Sequence, residues 1–242
     1  MTITDRTATK RVPMDSLRKT ALVAGVFYLL TFVSIPTLAL YGSVRAPNYV
    51  VGPGPDTSVL IGAFLEMIVA LAGIGTAVAL YPVVKRQGEA RALGFVASRT
   101  LEAATITAGA AALLSIVTLR QAGVGAAALV TGQALAAQYS WMFHLSQSFI
   151  PIVNAVLLGS LLYQSRLVPR ALPVLGFIGA ALLLAAWFAV LFGLIGAVSA
   201  PAGVAGLTIA AWEFSLGVYL TFWGFKPSPI TAGIAATGTR HD

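Results

Sequence analysis

The 242-residue sequence contains no cysteine, and this absence excludes disulfides, thiolate catalysis, iron–sulfur clusters and zinc sites built on cysteine. Charged side chains are also scarce, at 10% of residues, whereas soluble domains carry about 25%. Histidine occurs twice, and His241 is the penultimate residue of a polar tail. A haem held between two helices needs two facing histidines, so the sequence predicts neither such a haem nor any other cofactor.

Hydrophobic residues make up 58% of the chain, which is above the roughly 45–50% of soluble domains. The apolar runs follow one another from residue 21 to residue 225 without a long polar insert. Because a water-soluble fold of this size cannot bury so much apolar surface, we expect the lipid bilayer to surround most of the chain. The sequence therefore predicts an all-α integral membrane bundle and no soluble domain.

Six of these runs have the roughly twenty residues that a helix needs to cross a bilayer. They cover about 20–40, 59–84, 92–119, 138–163, 174–198 and 204–225. Pro151 predicts a kink in the fourth helix, and the Gly- and Ala-rich segment at 120–137 predicts at most a short interfacial helix. The predicted domains are a basic tail at 1–19, a six-helix transmembrane domain at 20–225 and a flexible tail at 226–242.

Basic residues are distributed in a way that indicates orientation and not nucleic-acid binding. The net charge is +7, but the lysines and arginines stand in short groups beside the apolar runs. Twelve of the fifteen fall in the two tails and in the second–third and fourth–fifth turns, which six helices place on one side. The opposite side carries Arg45 and Arg120, and Arg99 lies within a span. The positive-inside rule then predicts that both termini are cytoplasmic.

Ionisable residues inside the predicted spans are the strongest functional signal, because a charge at a helix centre costs about 2.5–3.5 kcal/mol on insertion. Arg99 and Glu102 are three residues apart and can pair on one face of the third helix. Glu66 on the second helix and Glu213 on the sixth stand among small residues, which allow another helix to approach closely.

The fourth helix carries a polar stripe that lipid cannot face. Its members follow steps of three and four residues: Ser140, His144, Gln147, Ser148, Pro151 and Asn154. Six candidate site residues are predicted to converge on one central polar pocket: Glu66, Arg99, Glu102, His144, Gln147 and Glu213. Three carboxylates and one arginine cannot all be charged at low cost in hydrocarbon, so we expect at least one carboxyl to hold a proton.

This pocket predicts a protein that binds a small ligand or ion, with proton coupling as one form of that function. One alternative is an intramembrane enzyme that uses His144 with the carboxylates, but no nucleophile or metal-ligand motif accompanies it, so no catalytic or metal residue is assigned. The other alternative is a structural or interaction protein, in which the same charges are helix-to-helix hydrogen bonds. Such a protein could form a homo-oligomer through the glycine faces of helices five and six.

Four segments carry a resemblance to a known family. They are RKTALVAGVFYLL at 18–30, RTLEA at 99–103, LVPRALPVLG at 167–176 and WEFSLGVYL at 212–220. The chain resembles, over nearly all of 18–226, a bacterial family of small multi-pass membrane proteins, domain of unknown function 4386. The resemblance implies a multi-helix fold in a bacterial cytoplasmic membrane, and it implies no known activity.

Overall fold

The chain is helical along nearly all of residues 15–232, the part that the computed structural model describes. Within this range no strand occurs, and six helical stretches are long and apolar enough to cross a membrane. This confirms the predicted all-α membrane bundle of six helices. Residues 1–14 and 233–242, which hold most of the two predicted tails, lie outside the described residues. The cytoplasmic location of both termini stays a prediction.

Between residues 15 and 232, eight α-helices build the six spans, because the first and the fourth span are each interrupted. The first span joins α1 (Ser16–Leu30) to α2 (Thr37–Leu40) through a 3-10 turn (Thr31–Ser34). The second and third spans are α3 (Asp56–Val84) and α4 (Glu89–Gln121). The fourth joins α5 (Leu129–His144) to α6 (Ile150–Ser165), and the last two are α7 (Ala171–Leu191) and α8 (Ala200–Phe222).

The fourth span is longer than predicted and contains a π-helical turn, Leu145–Phe149, between α5 and α6. Pro151 explains this turn, because proline has no N–H to donate and its ring crowds the carbonyl four residues earlier. The sequence predicts no more than an interfacial helix before residue 138, but α5 begins at Leu129 and continues directly into the span. Packing offsets the low helix propensity of its glycine, since Gly132 is buried against Val50.

The first residues of the C-terminal tail are packed, although the whole segment from 226 is predicted to be flexible. The backbone N–H of Lys226 donates to the carbonyl of Leu167 at 2.8 Å. The hydroxyl of Ser228 donates to the carbonyl of Ser165 at 2.5 Å. These two bonds hold residues 226–232 against the turn between α6 and α7.

The six spans form a closed ring in which each span contacts the next and α8 returns to α1. We call the membrane side that holds the turns at 85–88 and 166–170 the basic side, and the other side the opposite side. The interior of the ring is filled with side chains. The largest apolar cluster, which includes Leu80, Leu158 and Trp212, lies toward the basic side. A second cluster lies toward the opposite side.

An ion pair on the opposite side ties the connector between α2 and α3 to the bundle. Arg120 donates to both carboxylate oxygens of Asp56, at 2.7 and 2.6 Å, and to the carbonyl of Gly52 at 2.9 Å. Tyr49 adds a hydrogen bond to Asp56 at 2.6 Å. Burial, helped by this hydrogen bond, raises the pKa of Tyr49 to about 12, so the hydroxyl stays a donor at neutral pH.

Candidate functional site

Arg99 lies inside the bundle between two carboxylates from different helices. Its Nη1 donates to Oε2 of Glu102, on the same helix, at 2.9 Å, and its Nη2 donates to Oε1 of Glu213, on α8, at 2.5 Å. Arg99 is 3% exposed and Glu102 is 7% exposed. The side chain of Glu213 is 15% exposed. The structure therefore brings three of the six predicted site residues into direct contact.

Asn154 of α6 completes this group, which we call the Arg99 cluster: Arg99, Glu102, Glu213 and Asn154. Asn154 is fully buried, and its Nδ2 donates to Oε2 of Glu102 at 2.7 Å. The cluster thus joins α4 to both α6 and α8. The predicted polar stripe includes Asn154 but the predicted site does not. The sequence feature that could have identified Asn154 is its amide side chain, because an amide deep in an apolar span needs a hydrogen-bond partner.

Two aromatic rings pack against the Arg99 guanidinium. Its Cζ lies 5.4 Å from the ring centroid of Tyr28 and 5.7 Å from that of Phe95. Both rings are fully buried, and a cation over an aromatic face is attracted by the ring quadrupole. Gly73 of α3 faces Arg99, since a Cβ there would be in ordinary van der Waals contact with its Cδ, at 3.9 Å. Sequence reasoning missed Tyr28, because most aromatic residues of membrane helices serve packing or the interface.

Glu66 does not join the Arg99 cluster, which corrects the prediction of a single shared pocket. Its Oε1 accepts a hydrogen bond from Tyr139 of α5 at 3.2 Å, and Tyr41 lies next to it. The reason is depth. Because α8 begins at Ala200, earlier than predicted, Glu213 lies about 20 Å along its helix from the opposite side, while Glu66 lies about 15 Å along α3.

His144 and Gln147 also lie apart from the Arg99 cluster. Both are half-buried, His144 directly before the π-helical turn and Gln147 within it, and neither hydrogen-bonds to the cluster within residues 15–232. The π turn explains why His144 and Gln147 do not lie on the face of Asn154 as predicted. It adds about one residue and rotates α5 relative to α6. As a result Tyr139 shares the buried face with Asn154, while Ser140 is exposed.

An apolar layer separates Glu66 from the Arg99 cluster. Glu66 and Gly73, which faces Arg99, are roughly 10 Å apart along α3 at the usual rise of a helix. Four buried side chains of α3 and α4 pack together in this interval: Val69, Ala70, Ala103 and Ile106. The interior of the bundle therefore contains two distinct polar groups and not one pocket.

A family model described as a domain of unknown function (DUF4386) matches residues 23–224, which include almost all of the six spans. The chain belongs to this family. No match was found among curated proteins or among solved structures. The Arg99 cluster and Glu66 both lie inside the region that the DUF4386 family model matches.

The chemistry available to this DUF4386 member at the Arg99 cluster is that of two carboxylates around one guanidinium. Cavities of about 340 and 360 Å³ lie elsewhere in the described part of the chain, and the cluster lines neither of them. Among residues 15–232, no group of three or more His, Asp or Glu side chains could hold a metal ion. Two carboxylates on one guanidinium can exchange a proton or bind one small monovalent cation.

Proposed function

We propose that this protein binds one small cation, with the proton as the simplest case, at the Arg99 cluster, in a bacterial cytoplasmic membrane. The observation that carries the proposal is that one guanidinium contacts two carboxylates. With both carboxylates ionised, the cluster has one negative charge in excess. An uncompensated charge in a low-dielectric interior costs several kcal/mol, and binding of one proton or one monovalent cation removes it.

Glu213 is the member of the cluster that we expect a cation to reach. Glu102 is 7% exposed and accepts hydrogen bonds from both Arg99 and Asn154, which hold it in place. The Glu213 side chain is 15% exposed and bonds to Arg99 alone within the cluster. Exchange of a proton or a small cation at Glu213 would leave the hydrogen bonds of Glu102 intact.

Infrared difference spectroscopy against pH, on protein reconstituted in lipid, tests the proposal. The parent and all variants carry Glu66→Gln, which removes the other buried glutamate. We expect the carboxyl signal of the parent to be lost in Glu102→Gln and in Glu213→Gln, since each leaves one carboxylate for one arginine. Glu89→Gln is the matched control, because Glu89 is an exposed carboxylate on the same α4 helix, and it should keep the signal.

A metal cation in place of the proton would give a different result in the same samples. The parent would then show no carboxyl signal, but its unfolding temperature would be higher in sodium or potassium salts than in choline salts. Both cluster variants would lose that dependence on salt. A parent with no carboxyl signal and equal unfolding temperatures in all three salts contradicts the proposal.

A structural role is the second candidate, and the links from α4 to α6 and α8 favour it. In that case Glu102→Gln and Glu213→Gln lower the unfolding temperature and no titration signal exists in the parent. An enzyme is not proposed, because within the described residues no nucleophile or carboxylate hydrogen-bonds to Nε2 of His144. Self-association through α8 stays a proposal, supported by the open space beside Gly203 and Gly206.

A further inference from the structure

Glu66 is a buried carboxylate that no cation of the described residues contacts. It is 6% exposed, and its single hydrogen bond is the one that Oε1 accepts from Tyr139 at 3.2 Å. Its Oε2 is buried without a partner, and so is the hydroxyl of the adjacent Tyr41. Tyr41 and Tyr139 are the titratable groups that face Glu66, and no charged side chain of the packed helices does so. An unpaired negative charge here is costly, so the site favours a bound positive charge.

Two aromatic rings enclose this carboxylate. The rings of Tyr41 and Tyr139 meet edge to face, with centroids 5.3 Å apart. Gly62, one turn before Glu66 on α3, allows Tyr41 to lie directly against that helix, since a Cβ at Gly62 would overlap the ring. The glycine and the two tyrosines therefore build a confined site next to the carboxylate.

A cavity of about 360 Å³ lies next to this site, in the direction of the opposite side of the membrane. Gly132 and Ala136 of α5 line it, and Tyr139 follows on the same face of α5 one turn further into the membrane. Arg45, which is exposed, stands at the rim of the cavity. The cavity thus reaches a position on α5 that is about one helical turn from Tyr139, whose phenol bonds to Glu66.

We propose that Glu66, Tyr41 and Tyr139 form a second proton-binding site, which exchanges with the solution on the opposite side through this cavity. The proton passes from water in the cavity to Oε2 of Glu66 and neutralises the carboxylate. The protonated Oε2 then donates to the hydroxyl oxygen of Tyr41. Tyr139 continues to donate to Oε1. The apolar layer of Val69, Ala70, Ala103 and Ile106 keeps this site apart from the Arg99 cluster.

Carbodiimide labelling tests the site, because carbodiimides add to protonated carboxyls. A membrane-impermeant carbodiimide is applied to one side of proteoliposomes, and mass spectrometry reads each glutamate separately, as the modified fraction of its own peptide against time. Since the chain has no cysteine, a single Asn48→Cys marker identifies the opposite side. We expect Glu66 to be modified from that side, at a rate that falls about tenfold per pH unit once the carboxyl is mostly ionised.

Blocking the cavity tests the access route. Ala136→Phe places a large ring in the cavity and should slow modification of Glu66 several-fold at an unchanged unfolding temperature. Ala137→Phe, on the exposed neighbouring position outside the cavity, should leave the rate unchanged. An unmodified Glu66 at every pH, a rate independent of pH, entry from the basic side, or equal rates in the two variants would each overturn the proposal. Because Glu213 is read in the same digest, its behaviour reports on the Arg99 cluster separately.

Discussion

Arg99 is the residue that determines how charge is balanced inside the bundle. Its guanidinium contacts two carboxylates and two aromatic rings, while Nε is buried without a partner. A buried ion pair contributes little net stability compared with apolar packing, but loss of one partner leaves an uncompensated charge. The contribution of Arg99 to the stability of the bundle therefore depends on whether Glu102 and Glu213 are present.

Replacement of Arg99 by Met should lower the free energy of unfolding by about 3–5 kcal/mol, because it leaves two buried carboxylates without a cation. Adding Glu102→Gln and Glu213→Gln to Arg99→Met should restore most of that loss. Equilibrium unfolding in detergent micelles measures both variants. If Arg99→Met is as stable as the parent, or if the triple variant is no more stable than Arg99→Met, then Arg99 does not compensate the charge of these carboxylates.

Of the helix pairs that meet at a glycine, α1 and α8 have the closest backbone approach, and it occurs at Gly25. A Cβ at Gly25 would lie 2.6 Å from the backbone nitrogen of Thr221 and 2.8 Å from the carbonyl oxygen of Gly217. Arg18 adds a polar contact at the end of this pair, where it donates to three carbonyls of α8: those of Leu220, Thr221 and Phe222. The two helices close the ring and hold Tyr28 against Arg99.

Gly25→Val should separate α1 from α8 and reduce stability by about 1–3 kcal/mol, the usual cost of overpacking. Gly206→Val is the control, because Gly206 lies in α8 with no atom near the position of its missing Cβ. It makes the same change in helix propensity, from glycine to valine, without the clash. Thermal unfolding monitored by circular dichroism compares the two, and equal losses would show that the α1–α8 contact at Gly25 is not close.

For the whole molecule, the six spans can be predicted from sequence because each run of apolar residues inserts by its own hydropathy. The Arg99–Glu102 pair can also be predicted, since a spacing of three places both on one face of one helix. The contact with Glu213 cannot, because α4 and α8 are not adjacent in the ring and the contact crosses its interior. The position of Tyr139 cannot either, because Pro151 predicts a kink but not the extra residue of a π turn, which changes the rotation of α5.

Three polar groups are stacked through the bundle, from the opposite side to the basic side. The Asp56–Arg120 pair comes first, the Glu66 site follows, and the Arg99 cluster lies nearest the basic side. Apolar side chains fill the space between the last two groups. The account of function depends on the Arg99 cluster, in which Arg99 of α4 contacts Glu213 of α8.

Solid-state NMR of the protein in lipid bilayers tests that claim most directly. With labelled arginine guanidinium nitrogens and glutamate carboxyl carbons, Arg99 should show through-space contacts to the carboxyls of both Glu102 and Glu213, and Glu213→Gln should remove one of them. A contact to Glu102 alone, with the Glu213 carboxyl distant from every guanidinium, would contradict the account.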